Sequence, residues 1–173
     1  MFESRSIPLL CSQVWLILLV AMAPAHIQAG AFPVADKVVI EKAARKLHLL
    51  QDGKAFRTFE IALGIMPVGD KKKEGDFRTP EGRYVLGGRN QNSDYFLAIH
   101  ISYPDSVDRR EASQLGLDPG GAIMIHGQPN VPTRSEAYYR TQDWTNGCIA
   151  VSNSDMIDIW LMTGENTPIE IHP

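Results

Sequence analysis

The chain has 173 residues, of which 44% are hydrophobic, and its formal net charge is −3 with basic and acidic residues interspersed. This length suffices for one domain with a sizeable core, and the charge excludes the strongly basic surface that a nucleic-acid partner requires. The chain contains no internal repeat and no low-complexity tract.

The first 29 residues are typical of a secretory signal peptide. Arg5 precedes an apolar run over residues 14–23, and small residues follow, which fits cleavage after Ala25 or Ala29. The apolar run is about ten residues long, shorter than the ~20 that a membrane-spanning helix needs. We therefore expect an exported protein that contacts the membrane only if this segment stays uncleaved, which is the alternative.

Cleavage would remove Cys11 and leave Cys148 as the single cysteine of the mature chain. Such a chain cannot form an internal disulfide, and a free thiol in an oxidising compartment is exposed to oxidation. This favours a functional role for Cys148. The alternative is a buried, inert thiol that packs as a small hydrophobic side chain.

The mature domain, expected over residues 36–172, opens with short apolar segments of period two, which predict strands. Two strands are predicted at residues 37–41 and 46–51. Asp52-Gly53 then predicts a tight hairpin turn, and Phe59, Ile61 and Leu63 alternate on the returning strand.

Glycine, proline and charged residues dominate residues 64–82, which predicts a long surface loop. A loop of this length in a small domain is usually functional or disordered. Its Lys71-Lys72-Lys73 run predicts a solvated segment. The functional alternative is attraction of a carboxylate-rich substrate.

The second half of the chain predicts further short strands and three helices. Strands are predicted at residues 84–87, 96–102, 122–126, 149–151 and 169–171. Helices are predicted at residues 105–115, 134–141 and 154–162, the last with Ser152 or Asn153 as its N-cap. The chain is therefore expected to fold as a mainly β domain with a few short helices.

His126 and Cys148 are the candidate chemical pair. His126 ends an apolar strand and precedes Gly127, whose missing side chain leaves room for another segment or a ligand, although a structural histidine is the alternative. The Thr-Asn-Gly-Cys turn at residues 145–148 presents the thiol at the start of a strand, and its backbone amides near Gly147 are candidates for an oxyanion hole. A thiol with a histidine base attacks an amide to form a thioester, which an amine or water resolves.

A structural zinc site is the rival use of cysteine and histidine. The mature chain has one cysteine and no paired ligand spacing, so scattered histidines would have to converge on it: His48, His100 or His172. We therefore expect no metal.

The chain resembles the YkuD-domain L,D-transpeptidases, a family of bacterial cell-wall enzymes. The resemblance rests on His126-Gly127, on Thr145-Asn146-Gly147-Cys148 and on the Thr-Pro-Glu-Gly turn that closes residues 75–82, and it extends over residues 36–171. It implies a β-sandwich or barrel-like domain with short helices and without a metal or organic cofactor. It also implies a periplasmic or otherwise exported location in the cell envelope.

The resemblance implies a role for each motif residue. Cys148 is the nucleophile, His126 is the general base and acid, the Gly127 carbonyl orients the imidazole, and backbone amides near Gly147 hold the oxyanion. Substrate contacts are expected at Arg78, Trp144, Thr145 and Asn146.

The implied substrate is a peptidoglycan stem tetrapeptide, whose acyl group passes through Cys148 to an amine of a neighbouring stem or of a wall-anchored protein. Two alternatives are an L,D-carboxypeptidase or amidase-type hydrolase and a non-catalytic wall-binding module. The chain departs from the family pattern at Asn146, which replaces a histidine, and at Ala150, which replaces an arginine or asparagine. Asn146 cannot exchange protons near neutral pH, so the choice between transfer and hydrolysis stays open.

Overall fold

Eight strands form a hydrogen-bonded sheet in a computed structural model that describes residues 32–173. The predicted signal peptide lies outside these residues. The strands are β1 (Lys37–Glu41), β2 (Lys46–Gln51), β3 (Lys54–Glu60), β4 (Gly82–Ser93), β5 (Phe96–Ile101), β6 (Met124–His126), β7 (Ile149–Ala150) and β8 (Pro168–His172). The helices of the described part are α1 (Ser106–Gln114), α2 (Glu136–Thr141) and α3 (Asn153–Met162). The predicted mainly β class with a few short helices is confirmed.

The strands follow the order β3-β2-β1-β8-β4-β5-β6-β7 across the sheet. The carboxyl-terminal strand β8 pairs in parallel with β1 and antiparallel with β4, so the two ends of the domain meet at its centre. The short strand β7 pairs in parallel with β6 at one edge. This last pairing places the segment after Cys148 beside the segment that ends at His126.

The first three strands form the predicted meander. Asp52 and Gly53 both adopt positive φ angles, 51° and 72°, as a tight hairpin turn between β2 and β3 requires. The strand β3 ends at Glu60, earlier than the alternation through Leu63 predicts. Ile61 and Leu63 are nevertheless buried, because this segment leaves β2 and turns toward the residues around β7.

Two strands differ in length from their predictions. The strand β4 continues to Ser93, well past the predicted end at residue 87. Its additional residues are mostly polar and of low β propensity, and they pair with β5 across two register shifts. The strand β6 begins only at Met124, because Ala122 has a φ of 54°, outside the extended region. Both differences affect the site, since the end of β4 and the start of β6 border it.

Side-chain caps define the helix starts. Asp105 and Asp108 form a capping box at α1, Ser135 caps α2, and Ser152 caps α3 by accepting a hydrogen bond from the Asp155 amide at 3.1 Å. None of the helices in residues 32–173 is long and apolar enough to cross a membrane.

The buried Lys42, which follows β1, fastens the loop of residues 64–81 to the sheet. Lys42 is 2% exposed, and its Nζ donates to the carbonyls of Gly69 and Thr79 at 2.7 and 2.9 Å and to Glu81 Oε1 at 2.7 Å. Lys71 is also buried, so the prediction of a wholly solvated lysine run is wrong at that position, although Lys72 and Lys73 are exposed. The loop is therefore a fixed wall beside the sheet.

Candidate active site

The sheet and the Gly127 carbonyl fix the imidazole of His126. His126 ends β6, is 4% exposed, and has its Nδ1 2.7 Å from the Gly127 carbonyl oxygen. Because a carbonyl only accepts, this contact places the proton on Nδ1 and leaves Nε2 as an acceptor in the neutral ring. The imidazole is thus oriented as a base.

Gly127 itself is held by close backbone packing. Its amide donates to the carbonyls of Tyr95 and Leu97 at 3.0 and 3.1 Å. A Cβ at this position would lie 2.6 Å from Asn153 Oδ1 and 3.0 Å from the Phe96 Cβ. Only glycine therefore fits here without displacement of its neighbours.

Burial decides the charge of the imidazole. Removal from water disfavours the imidazolium and lowers the pKa of His126 to about 4, while the hydrogen bond to Gly127 opposes the shift with a smaller effect. His126 is therefore neutral at pH 7 and able to accept a proton.

Aromatic side chains enclose the imidazole. The ring centroids of Tyr95 and Trp144 lie 4.7 and 5.6 Å from that of His126, and the indole of Trp144 donates to the Tyr139 carbonyl at 3.1 Å. Trp144 was predicted as a substrate contact, whereas Tyr95 was missed. The polar Asn-Ser-Asp run before Tyr95 is a turn signal that marks the end of β4. Because the predicted strand ends at residue 87, the sequence alone does not place Tyr95 near the site.

Long-range contacts position the segment that leads to the thiol. The carboxylate of Asp143 accepts from the Leu63 amide at 2.9 Å and pairs with Arg45 at 2.7 Å. The Leu63 carbonyl accepts from the amides of Trp144 and Thr145, both at 3.1 Å. The segment is therefore anchored to the chain that follows β3.

Thr145 closes the turn that carries Cys148. Its Oγ1 donates to the Cys148 carbonyl at 2.7 Å and accepts from the Gly147 amide at 3.1 Å. Gly147 adopts a φ of 128°, and a Cβ there would lie 2.7 Å from the Arg78 carbonyl oxygen. Thr145 is buried, and its hydroxyl group is engaged within the turn by these two hydrogen bonds.

The backbone amides of the same turn are candidate donors to an oxyanion. The amide of Gly147, proposed from the sequence as an oxyanion donor, is already engaged by Thr145 Oγ1. The amide of Cys148 has no hydrogen-bond acceptor among residues 32–173. It is therefore the better-placed donor within this turn.

The thiol is neutral in the resting site. The Sγ of Cys148 contacts the Ala122 carbonyl oxygen at 3.6 Å. Burial raises the pKa of the Cys148 thiol, and the Met124 amide and the charge of Lys71 oppose this with smaller effects. The pair at neutral pH is thus a thiol and a neutral imidazole.

Two cavities meet at Cys148. One, of about 350 Å³, is lined by Cys148 and His126 together with Asn90, Asn92, Ser93, Asp94, Tyr95, Met124, Trp144, Thr145 and Asn146. The other, of about 330 Å³, includes Lys71 and Glu74 and shares with the first only Cys148 and Asn146. Arg78 lines neither cavity, and its Nη1 lies 3.4 Å from the Asp70 carbonyl oxygen.

Residues 32–173 contain no cluster of three or more histidine, cysteine, aspartate or glutamate side chains that could hold a metal ion. The histidines considered for a zinc site line neither cavity beside Cys148. His48 is on β2, His100 on β5 and His172 on β8.

Comparison with known proteins identifies the family of this domain. Residues 35–171 match the family model of YkuD, the L,D-transpeptidase catalytic domain. The chain belongs to the YkuD family. YkuD domains act on peptidoglycan peptides.

Two relatives share substantial sequence with this YkuD domain. YafK, a provisionally assigned L,D-transpeptidase of Escherichia coli (strain K12), is 40% identical over 63 residues, which are 35% of this chain and 23% of YafK. The helical cell shape determining protein Pgp2 of Campylobacter jejuni is 30% identical with a TM-score of 0.60, and the match covers 78% of this chain and 46% of Pgp2. This chain thus spans less than half of either relative.

A more distant solved structure supports the fold alone. The L,D-transpeptidase of Mycobacterium smegmatis superposes with a TM-score of 0.52 at 13% identity, over 79% of this chain and 58% of the mycobacterial one.

Proposed function

We propose that this YkuD domain is a cysteine acyltransferase that cleaves a peptidoglycan stem tetrapeptide through a thioester on Cys148 and transfers the acyl group to an amine. One observation carries the proposal. Cys148 lines the same cavity as a neutral His126 whose Nδ1 proton is held by the Gly127 carbonyl, which leaves Nε2 free to act as the base.

In the acylation step, Nε2 of His126 takes the thiol proton while the sulfur attacks the scissile carbonyl carbon. The C–S bond forms, the carbonyl oxygen becomes an oxyanion, and the Cys148 amide donates to it. The imidazolium then passes its proton to the departing nitrogen as the C–N bond breaks. The products are a Cys148 thioester and the released terminal residue.

In the second step, the acceptor amine attacks the thioester carbon. Nε2 takes the amine proton, the C–S bond breaks, and the imidazolium returns a proton to the sulfur. A new amide is released and the resting thiol and imidazole are restored. The acceptor belongs to a neighbouring stem or to a wall-anchored protein, and water in its place gives hydrolysis.

The buried environment of Cys148 and His126 favours neutral groups at rest and a proton transfer during the reaction. A thiolate and an imidazolium would each lose hydration in this cavity, which is why burial raises the pKa of Cys148 and lowers that of His126. The tetrahedral intermediate carries its negative charge on oxygen, where the Cys148 amide donates. The cavity thus stabilises the charge that develops in the transition state more than it stabilises a resting ion pair.

The test is incubation of the purified chain with a defined stem tetrapeptide and an amine acceptor, followed by intact-protein and product mass spectrometry. We expect an acyl adduct on Cys148, release of the terminal residue and an amine-exchanged product. The variant Cys148→Ala is expected to form neither adduct nor product. Shortened peptide alone would assign hydrolysis, and a folded wild-type chain without adduct or product would refute the proposal.

A further inference from the structure

The second cavity beside Cys148, which His126 does not line, contains a buried cation. Lys71 is 5% exposed and lines this cavity with Cys148 and Asn146. Glycines 120 and 121 form part of the wall, which leaves the backbone open to a ligand. Cys148 therefore borders one cavity that includes the imidazole of His126 and a second cavity that includes the side chain of Lys71.

The ammonium of Lys71 retains hydrogen-bonding capacity. Its Nζ donates to Asp76 Oδ1 at 2.9 Å and to the Lys73 carbonyl at 3.0 Å. A lysine ammonium has three donors, and the described residues supply no acceptor for the third. A buried ammonium with a free donor favours an anionic ligand.

Asp76 is the counter-ion of Lys71, and its carboxylate also accepts hydrogen bonds from the loop backbone. It accepts from the backbone amides of Lys72, Lys73 and Arg78 at 2.7, 3.1 and 3.1 Å. Burial opposes ionisation, yet the hydrogen bonds from Lys71 and from these amides lower the pKa of Asp76 to about 2. The loop thus fixes Asp76 as the counter-ion of Lys71, while the third donor of the ammonium has no acceptor among the described residues.

We propose that Lys71 is a specificity-determining residue that binds a carboxylate of the substrate beside the scissile amide, in the second cavity that Cys148 lines. The proposal rests on the proposed acyl-transfer function. A stem peptide offers this chemistry from two sources, the α-carboxylate of the terminal residue and a side-chain carboxylate of the residue that is acylated. Glu74, exposed on the rim of the same cavity, complements an ammonium group beside that carboxylate.

The first experiment measures the charge at Cys148 without any enzymatic activity. Cys148 is alkylated with iodoacetate, which is anionic, and with iodoacetamide, which is neutral and of similar size, and the two rate constants are compared as a ratio. In Lys71→Met we expect the iodoacetate-to-iodoacetamide ratio to fall about tenfold, because a nearby cation favours the anionic reagent. The matched control is Lys73→Met, which removes the same charge from an exposed neighbour outside the cavity and should leave the ratio unchanged. An unchanged ratio in Lys71→Met overturns the proposal.

The second experiment identifies the carboxylate. Three tetrapeptides are compared: the unmodified peptide, one with a terminal carboxamide, and one with a carboxamide on the side chain of the acylated residue. Wild type is expected to prefer the carboxylate that Lys71 binds by about 10- to 100-fold in kcat/KM, and Lys71→Met should lose that preference. An equal loss on all three peptides means that Lys71 only holds the loop, which overturns the proposal.

A second variant distinguishes a folding defect from the loss of carboxylate binding. If Lys71→Met unfolds because Asp76 loses its partner, the double variant Lys71→Met/Asp76→Asn removes both charges and is tested in the same way. If wild type processes none of the peptides, the acyl-transfer proposal fails, while the alkylation ratio still decides the position of the Lys71 charge.

Discussion

At the scale of single residues, the protonation states of His126 and Cys148 determine how the site responds to pH. Both groups are neutral at rest because both are buried, and neither needs to gain or lose a proton before the reaction begins. For the proposed acyl transfer, we therefore expect the reactive protonation state between the pKa of the imidazole, about 4, and the raised pKa of the thiol.

We expect kcat/KM to stay constant from about pH 5 to neutrality, because His126 has a pKa of about 4 and remains a competent base throughout this range. An initial-rate profile with a stem tetrapeptide measures this. A fall in rate centred near pH 6.5 would show that the imidazole titrates as it does in water.

The same residue makes folding stability depend on pH. The pKa of His126 is about 4 in the folded protein and 6.5 in the unfolded chain, so the unfolded chain binds the proton first as pH falls. Above pH 6.5 the imidazole is neutral in the folded protein and in the unfolded chain, so stability is at its full value. As the pH falls from 6.5 to 4, the free energy of unfolding decreases by up to about 3 kcal/mol. Urea denaturation at pH 7 and 4.5 measures the change, and His126→Gln should lose most of this dependence.

Gly127 combines a site role with a packing requirement. In Gly127→Ala the new Cβ would meet Asn153 Oδ1 at 2.6 Å and the Tyr95 carbonyl oxygen at 3.1 Å, so the segment beside His126 must shift. We expect a loss of about 1–3 kcal/mol in the free energy of unfolding, together with slower acylation. The control Gly88→Ala places its Cβ in open space and should leave acylation unchanged.

At the scale of elements, caps and turns were the most predictable features. The start of α3 follows from Ser152 followed by an acidic first turn, and the hairpin after β2 follows from Asp52-Gly53. These features depend on hydrogen bonds and φ angles within a few residues. Their signals are therefore present in the local sequence.

A cap substitution tests this local control. In Ser152→Ala the Asp155 amide loses its acceptor, and we expect a loss of about 1 kcal/mol in the free energy of unfolding. Thermal or urea denaturation measures it. Ser113→Ala, at an exposed position within α1, should change stability much less, and an equal effect of both substitutions would contradict the capping role.

Element lengths were less predictable where tertiary pairing overrides local preference. The polar end of β4 is extended because β5 pairs with it across two irregular registers, and that extension brings Asn90, Asn92 and Tyr95 to the cavity of Cys148. Polar residues of low β propensity give no local indication of such a strand.

At the scale of the whole molecule, buried charged contacts join segments distant in the chain. Lys42, beside β1, binds the loop 27 to 39 residues further on through three acceptors. Arg45 and Asp143 join the turn after β1 to the segment before Cys148, 98 residues away. The walls of the site are therefore held by contacts outside it.

Loss of the Lys42 contacts should destabilise the whole domain. In Lys42→Met three acceptors lose their donor, among them the Glu81 carboxylate, and we expect a loss of about 3–5 kcal/mol in the free energy of unfolding. The control Lys46→Met removes a solvent-accessible ion pair with Glu60 and should cost less than about 1 kcal/mol. Similar midpoints in urea for the two variants would contradict this difference.

The sequence by itself determined the mainly β class, the positions of most elements and the choice of His126 and Cys148 as the candidate chemical pair. It could do so because apolar periodicity, turn residues and the flanking glycines are local features. Only the tertiary structure decided the environment of that pair: the burial that keeps both groups neutral, the engagement of the Gly147 amide by Thr145, the placement of Arg78 outside the cavities and the position of Lys71 in the second cavity beside the thiol. The reason is that desolvation and hydrogen-bond partnership depend on segments brought together from distant parts of the chain.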